Sequence, residues 1–331
     1  MNKSKYGLFL MPFYANTQKG QLEYLEASVK SIINQTDSKW HLLIIDSGSN
    51  NTDAWKTLKK ISSDKRITIM LNKENKGVSA VRNQGIKWAA ENGYPFILFQ
   101  DSDDISDSKR LEKCKKIFDE NANVDVVFST FKVIDEEGKL VPRAKIAPSV
   151  LEITDQHPKY EKRYDNIWID IASKIGYTNL TSATTVKTNL ALKNPFPEDC
   201  SISEDYYTWL SYSASGGIFY FSPNFPSLYR IPQKEKKSGE RDCEFYKSKS
   251  AVDQRAVLNA ISLYRQRFAL SEFEIRKILM RFYLKQFYLF MSEDEKDIAI
   301  EQIKKIESLS PFRNSFKHII PKDLISEKIT K

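Results

Sequence analysis

Through the first hundred residues, short apolar runs alternate with stretches whose apolar positions fall on one helical face. Residues 6–11 read as a buried strand that stops at Pro12, because proline has no amide to give a central ladder. From Leu22 to about Gln35, Leu25, Val29, Ile32 and Ile33 recur at helical spacing. Residues 40–45 are a second continuous apolar run, short enough for a buried parallel strand, and end at Asp46, Ser47, Gly48 and Ser49. A helix over 54–61 precedes a strand over 67–71. Asn75, Lys76 and Gly77 open a helix that runs to 89, and 95–99 is the next strand. Repeated strand, helix, strand predicts an open α/β sheet with right-handed crossovers.

Beyond residue 123 the pattern is mixed. Residues 124–129 and 131–134 read as strands, with 135–139 a hairpin tip. Residues 143–178 resist assignment: polar loops carry Tyr160, Tyr164, Trp168 and Tyr177, which fit a mobile binding wall or ordinary packing. Residues 178–186 are rich in Thr and Ser. Ser203 reads as a helix cap with Glu204 and Asp205 in the first turn, where acidic groups either offset the helix dipole or aim a general base into a crevice. Over 275–290 an amphipathic helix carries Lys277, Arg281 and Lys285 on one face and Ile275, Leu279 and Phe282 on another. That basic face suits an anionic membrane surface, though most such helices pack on their own domain.

Composition narrows the picture. The 331 residues are 41% apolar and 28% charged, as in ordinary globular proteins, with room for one large domain or two smaller ones. No run approaches the length a membrane-spanning helix needs, and no signal peptide is expected. Cys114, Cys200 and Cys243 are widely spaced and odd in number, which argues against a disulfide framework or a zinc site and fits a reducing cytosol. His41, His157 and His318 lack metal-ligand spacing, so carboxylates must carry the chemistry. Most of the +8 net charge falls after residue 230, away from the candidate motifs, and no nucleic-acid fingerprint accompanies it. No GxGxxG follows the first strand, which weighs against a Rossmann oxidoreductase.

The richest stretch is Phe99-Gln100-Asp101-Ser102-Asp103-Asp104, where an apolar strand ends in three carboxylates. If the chain stays extended, Asp101 and Asp103 leave on the same side and face one Mg2+ or Mn2+, with a nucleotide diphosphate completing its shell. A solvated acidic turn capping a helix near Ser106 fits the spacing equally well. In open α/β sheets ligands bind beyond the carboxyl ends of the strands, which is where Pro12 to Tyr14, Asp46 to Ser49, Asn75 to Arg82 and Asp101 to Asp104 all fall. Gly48 admits a close ligand or a left-handed turn, while Lys76 and Gly77 at a helix start, with Arg82 a turn on, suit phosphate. A metal-dependent phosphohydrolase or pyrophosphorylase shares this ion chemistry.

Over about residues 7–230 these segments resemble the family 2 glycosyltransferases, which have the GT-A fold. The resemblance rests on residues 24–36 followed by Leu43-Ile44-Ile45-Asp46-Ser47-Gly48-Ser49, then Gly77-Val78-Ser79-Ala80-Val81-Arg82-Asn83, Asp101-Ser102-Asp103-Asp104 and Glu204-Asp205, in the family's order. It implies an open mixed sheet flanked by helices over residues 1–235, divided near 105 into nucleotide-binding and acceptor-binding halves, with a helical extension over 236–331. It implies that Pro12 and Tyr14 frame the nucleotide base, that Asp46 meets uracil or ribose, and that Ser47, Gly77, Arg82 and Ser102 line the donor site. Asp101 would face ribose, sugar or metal, Asp103 would ligate Mn2+ or Mg2+, and Asp205 would be the catalytic base beside Glu204. The implied reaction is inverting transfer from a nucleotide sugar, UDP foremost, to a glycan or lipid-linked glycan in bacterial surface polysaccharide, lipopolysaccharide or capsule synthesis, in the cytoplasm or at the inner face of its membrane. Two positions depart from the family: Ser47 stands where a second aspartate is frequent, and Tyr229-Arg230-Ile231-Pro232 lacks a histidine many members carry nearby.

Overall fold

In the computed structural model, which describes residues 5–16, 20–174, 179–233 and 243–309, the alternation becomes a βα succession. It runs β1 Gly7–Phe13, α1 Gln21–Ile33, β2 Trp40–Asp46, α2 Thr52–Ile61, β3 Ile67–Leu71, α3 Val78–Glu91, β4 Phe96–Phe99 and α4 Arg110–Glu120. There follow β5 Val126–Ile134, α5 Pro148–Gln156, β6 Lys162–Tyr164, α6 Ile167–Ser173, β7 Thr184–Lys187, α7 Thr188–Lys193, α8 Glu204–Ala214 and β8 Phe219–Arg230. Helices α9 Cys243–Arg265, α10 Glu272–Ser292 and α11 Lys296–Leu309 close the described chain. The expected boundary at 235/236, Tyr177 and His318 lie outside the described residues.

One mixed sheet has the order β3-β2-β1-β4-β7-β5-β8-β6. Strands β1 to β4 pair in parallel, and β7 enters antiparallel between β4 and β5. The parallel order reverses between β1 and β4, so a crevice opens beyond their carboxyl ends.

Strand β1 passes through Pro12 instead of stopping there. Leu10 O accepts from Gln100 N, and Phe13 O accepts from Ser47 N. Backbone alternation therefore turns the Pro12 nitrogen toward the β4 side, where pairing has already ended at Leu10. No ladder bond is lost, and pairing with β2 continues to Phe13. The two strands expected over 124–134 are one strand, β5, with an irregular register against β8 between Ser129 and Phe131. The hairpin tip forms as expected: Asp135 N bonds to Lys139 O and Gly138 N to Asp135 O.

The largest apolar cluster runs from Leu8, Leu10 and Phe99 in the sheet through Trp209 of α8 to Phe282 and Phe290 of α10 and Ile306 of α11. The C-terminal helices thus share a core with the sheet. Helix α10 buries Ile278, Leu279, Phe282, Phe287 and Phe290. Its basic face is not one solvated stripe, because Lys285 turns inward and gives its ammonium to Ile171 O at 2.6 Å, leaving Lys277 and Arg281 outside. Burial lowers the Lys285 pKa to about 8.

Candidate active site

One cavity opens at the carboxyl ends of β1 and β4, and a second lies beside the start of α8. The larger, about 860 Å³, is lined by Pro12, Tyr14, Ser47, Gly77, Asp101, Ser102 and Asp103 among the residues expected from sequence. It also has walls that sequence reasoning missed: Glu23 and Tyr24 of α1, and Glu136, Glu137 and Pro232 opposite. The hairpin pattern was readable at 135–139, but its approach to the crevice depends on β5 lying four strands from β2, which no local pattern records.

The acidic run after β4 is a turn, not an extended continuation. Asp104 N bonds back to Asp101 O at 3.3 Å, and Gln100 and Asp101 are tied to β1, α1, α3, α4 and the segment at Ser182. Gln100 Nε2 donates to Asp104 O at 2.9 Å and Asp101 N donates to Ser182 Oγ at 3.0 Å. Behind the turn, buried Arg110 donates to Phe99 O, Thr184 O and Gln100 Oε1. Burial holds the Arg110 pKa down at about 10. The turn brings Asp101 and Asp103 to the cavity and sends Asp104 into the protein, where its Oδ1 accepts from Arg230 N. Burial and the neighbouring negative charges push the Asp104 carboxyl far above the usual range.

Arg230 occupies the segment that lacks the family histidine. Its Nε donates to Asp103 O at 2.8 Å and its Nη1 to Asp135 O at 2.7 Å, while the guanidinium lies 4.4 Å from the Tyr24 ring centre. It clamps the acidic turn to the hairpin.

Asp46 is 1% exposed and does not line the cavity. Its carboxylate accepts from the Ser49 hydroxyl and from Ser49 N, and Ser49 Oγ in turn accepts from Ala15 N at 2.7 Å. In this arrangement it fixes the turn after β2 and the loop that carries Tyr14. Gly48 has φ +78°, and a Cβ there would meet Glu74 backbone at 2.5 Å, so the turn needs glycine. Gly77 N and Ser47 Oγ both donate to Asn75 Oδ1.

Arg82 lies behind the cavity wall, its side chain 4% exposed, and joins the two acidic motifs. Nη2 reaches Asp101 Oδ1 at 2.9 Å and Nη1 reaches Glu204 Oε1 at 2.8 Å. Glu204 and Asp205 open α8. Ser203 stands at the cap position but does not cap: it is left-handed at φ 56°, and its Oγ accepts from Lys249 Nζ at 3.0 Å. A non-glycine residue in that region costs on the order of 1 kcal/mol or more, and such strain gathers at working sites. Asp205 Oδ1 accepts from Tyr206 N, and the carboxyl faces the second cavity, of about 310 Å³. Burial, then the charge of Glu204, raises its pKa to about 7 against the opposing pull of Arg82 and Lys249.

Asp103 is pushed up to about 6 by burial and by the charge of Asp101. Among the described residues no group of three or more His, Cys, Asp or Glu is gathered for a metal. Two carboxylates are nevertheless what Mg2+ or Mn2+ takes from protein when phosphates and water supply the rest, and a divalent ion would offset both the burial and the repulsion that raise Asp103. The donor set therefore fits such an ion.

This mixed sheet with its flanking helices is the GT-A fold of glycosyltransferases. The chain belongs to glycosyl transferase family 2, whose profile matches residues 9–185 and so takes in every expected site residue except Glu204 and Asp205. It is 30% identical over 220 residues, 65% of this chain and 75% of the relative, to the UDP-Glc:alpha-D-GlcNAc-diphosphoundecaprenol beta-1,3-glucosyltransferase WfgD of Escherichia coli. TarS 1-349 of S. aureus, solved in complex with UDP, superposes with a TM-score of 0.62 at 16% identity, covering 92% of this chain and 83% of that one. The mannosyltransferase PcManGT of Pyrobaculum calidifontis, solved with GDP-Man and Mn2+, gives 0.55 at 12% identity, covering 92% and 76%. Within the described residues no helix is long and apolar enough to cross a membrane.

Proposed function

We propose that this glycosyltransferase moves a sugar, with inversion at the anomeric carbon, from a nucleotide sugar to a hydroxyl of a glycan or lipid-linked glycan. UDP is the expected nucleotide and Mn2+ or Mg2+ the expected ion. The observation that carries this reading is the Arg82 bridge, which sets Asp101 on the wall of one cavity and, through Glu204, Asp205 on the wall of the next. A donor in the large cavity and an acceptor in the small one would meet there.

Pro12 and Tyr14 would flank the base, and Ser47, Gly77 and Ser102 would approach ribose and diphosphate. Asp101 and Asp103 would hold the ion, which when bound offsets charge on the leaving diphosphate. Asp205 takes the acceptor hydroxyl proton while that oxygen bonds to the anomeric carbon, and the bond to the diphosphate breaks with its electron pair leaving on the nucleotide. We assign residues 1–105 to donor binding, 106–235 to acceptor binding and 236–331 to a helical extension. The UDP in TarS, the GDP-Man and Mn2+ in PcManGT and the lipid-diphosphate acceptor in the name of WfgD support these classes of substrate.

Calorimetry with UDP-, GDP-, CMP- and dTDP-sugars, with and without Mn2+, tests the reading. One nucleotide should bind in a metal-dependent way, and Asp103→Ala should lose at least about tenfold of that affinity. Equal binding in the variant and without the ion would remove the metal role. Failure of every nucleotide sugar to bind would remove the donor assignment itself.

A peripheral membrane contact would use the outer face of α10, where Phe273, Arg276, Lys277 and Arg281 are exposed on successive turns. Liposomes containing phosphatidylglycerol should float wild type better than the Lys277→Ala, Arg281→Ala double variant. Equal flotation would dismiss this contact.

A further inference from the structure

The second cavity lies where α8 meets the C-terminal helices. Asn179, Asp253 of α9 and Gln286 of α10 all line it, and each is 2% exposed or less. Each also keeps an oxygen with no hydrogen-bond partner: Asn179 Oδ1, Asp253 Oδ1 and Gln286 Oε1. Their remaining polar atoms are engaged and so fix which oxygens stay open. Asn179 Nδ2 donates to Thr184 Oγ1, Gln286 Nε2 donates to Asp253 Oδ2 at 2.9 Å, and Lys249 Nζ donates to the same oxygen at 2.9 Å. Three unpaired buried acceptors in one cavity carry a desolvation cost that a ligand bearing donors removes.

Charge limits what that ligand is. Lys249 and Lys285 border the cavity and oppose a cation. Asp205, Asp253, Glu152 and Glu293 border it as well and oppose an anion. A neutral group with several O–H donors satisfies both conditions. Tyr229 and Phe245 supply flat apolar surface on the same walls, which suits the C–H faces of a sugar ring. At ~30 Å³ per water, 310 Å³ is the space of about ten waters, enough to admit a sugar ring.

We propose that this cavity seats the acceptor's terminal sugar, an uncharged ring whose hydroxyls donate to Asn179, Asp253 and Gln286, and that α9 and α10 thereby select the acceptor. This rests on the transferase reading of Asp205, which borders the same cavity. The acceptor hydroxyl nearest Asp205 is the one that reacts, and the others are held by the helices.

The test uses the full chain and octyl glycosides of glucose, N-acetylglucosamine and glucuronic acid, read by saturation-transfer NMR and by release of nucleotide from the donor. A neutral glycoside should bind and accelerate nucleotide release, and the glucuronide should do neither. Gln286→Met keeps the side-chain volume and removes the open acceptor together with the Nε2 bond to Asp253, so it should raise the KM for the glycoside about tenfold with kcat changed much less. Leu289→Trp, on the cavity wall, should abolish glycoside binding by filling the space. Circular dichroism and UDP affinity check that both variants are folded. Preference for the glucuronide, an unchanged KM in Gln286→Met, or no binding of either neutral glycoside to wild type would overturn the proposal. If instead wild type binds no nucleotide sugar, the transferase reading has failed first, so the two failures are distinguishable.

Discussion

Asp205→Asn is expected to lower turnover by about 10²–10⁴-fold while nucleotide-sugar affinity stays within a few-fold of wild type. Asparagine keeps the size and polarity of the side chain and its bond from Tyr206 N, so the change removes little besides the ability to take a proton. The carboxyl stands at the first turn of α8, where the helix dipole and Arg82 both favour the charged form. Burial and Glu204 outweigh them and raise its pKa to about 7. A base must be deprotonated to act, so wild-type turnover should rise as pH increases through about 7 and level off above it. The variant's residual rate should lack that limb. A base poised near neutral pH is a better catalyst than an ordinary carboxylate, which is too weak a base to take a proton readily. Steady-state rates between pH 5.5 and 8.5, with donor affinity measured in parallel, decide the matter. Turnover within tenfold of wild type, or the same pH limb in the variant, would show that another group takes the proton.

The large cavity was more legible in the sequence than the small one, for a physical reason. Pro12, Ser47, Gly77 and Asp103 sit at the ends of strands or the start of a helix whose apolar runs are plain, and in a βα sheet those ends converge. The small cavity draws on α8, α9 and α10 and the segment at Asn179, which meet through long-range packing of Trp209, Tyr246 and Phe282 and through bonds such as Lys249 to Ser203. Nothing local marks Asp253 or Gln286 as neighbours of Asp205. The acceptor-side strands were hard to read for a different reason. Strand β7 lies in the middle of the sheet, yet its Thr184 and Thr185 are polar and fully buried. Thr184 Oγ1 bonds to Leu180 O and accepts from Asn179 Nδ2, so the hydroxyl is satisfied without solvent. Strand β8 contains Pro223 and Pro226, which argue against a strand in a sheet interior. They lie between its pairings at Ser222 and Ser227, where the register against β5 breaks and no ladder amide is required of them. Arg82 was placed by sequence near the diphosphate, and its position behind Asp101 depends on Glu204, far along the chain.

That position makes Arg82→Met the second large effect expected. The arginine is the buried cation between two carboxylates, with the Asp101 side chain 29% exposed and that of Glu204 16% exposed. Removing one partner of a buried ion pair costs about 3–5 kcal/mol because the remaining charge is left uncompensated. Here two charges are left, but both retain some solvent, which favours the lower part of that range. Chemical denaturation should report the loss as a lower midpoint at unchanged slope. Catalysis should fall further than stability alone explains, since Asp101 would no longer be held at the donor cavity nor the start of α8 against it. Arg82→Lys should recover only part of the activity, because a single ammonium nitrogen cannot span two carboxylates that the separate Nη1 and Nη2 groups reach. Adding Glu204→Gln to Arg82→Met should restore some stability, because one uncompensated charge is removed, but not turnover, because Asp205 would still lack its anchor. A single variant whose stability lies within about 0.5 kcal/mol of wild type, the size of an ordinary surface substitution, would mean that solvent already compensates both carboxylates and that the bridge does not hold the two cavities in register.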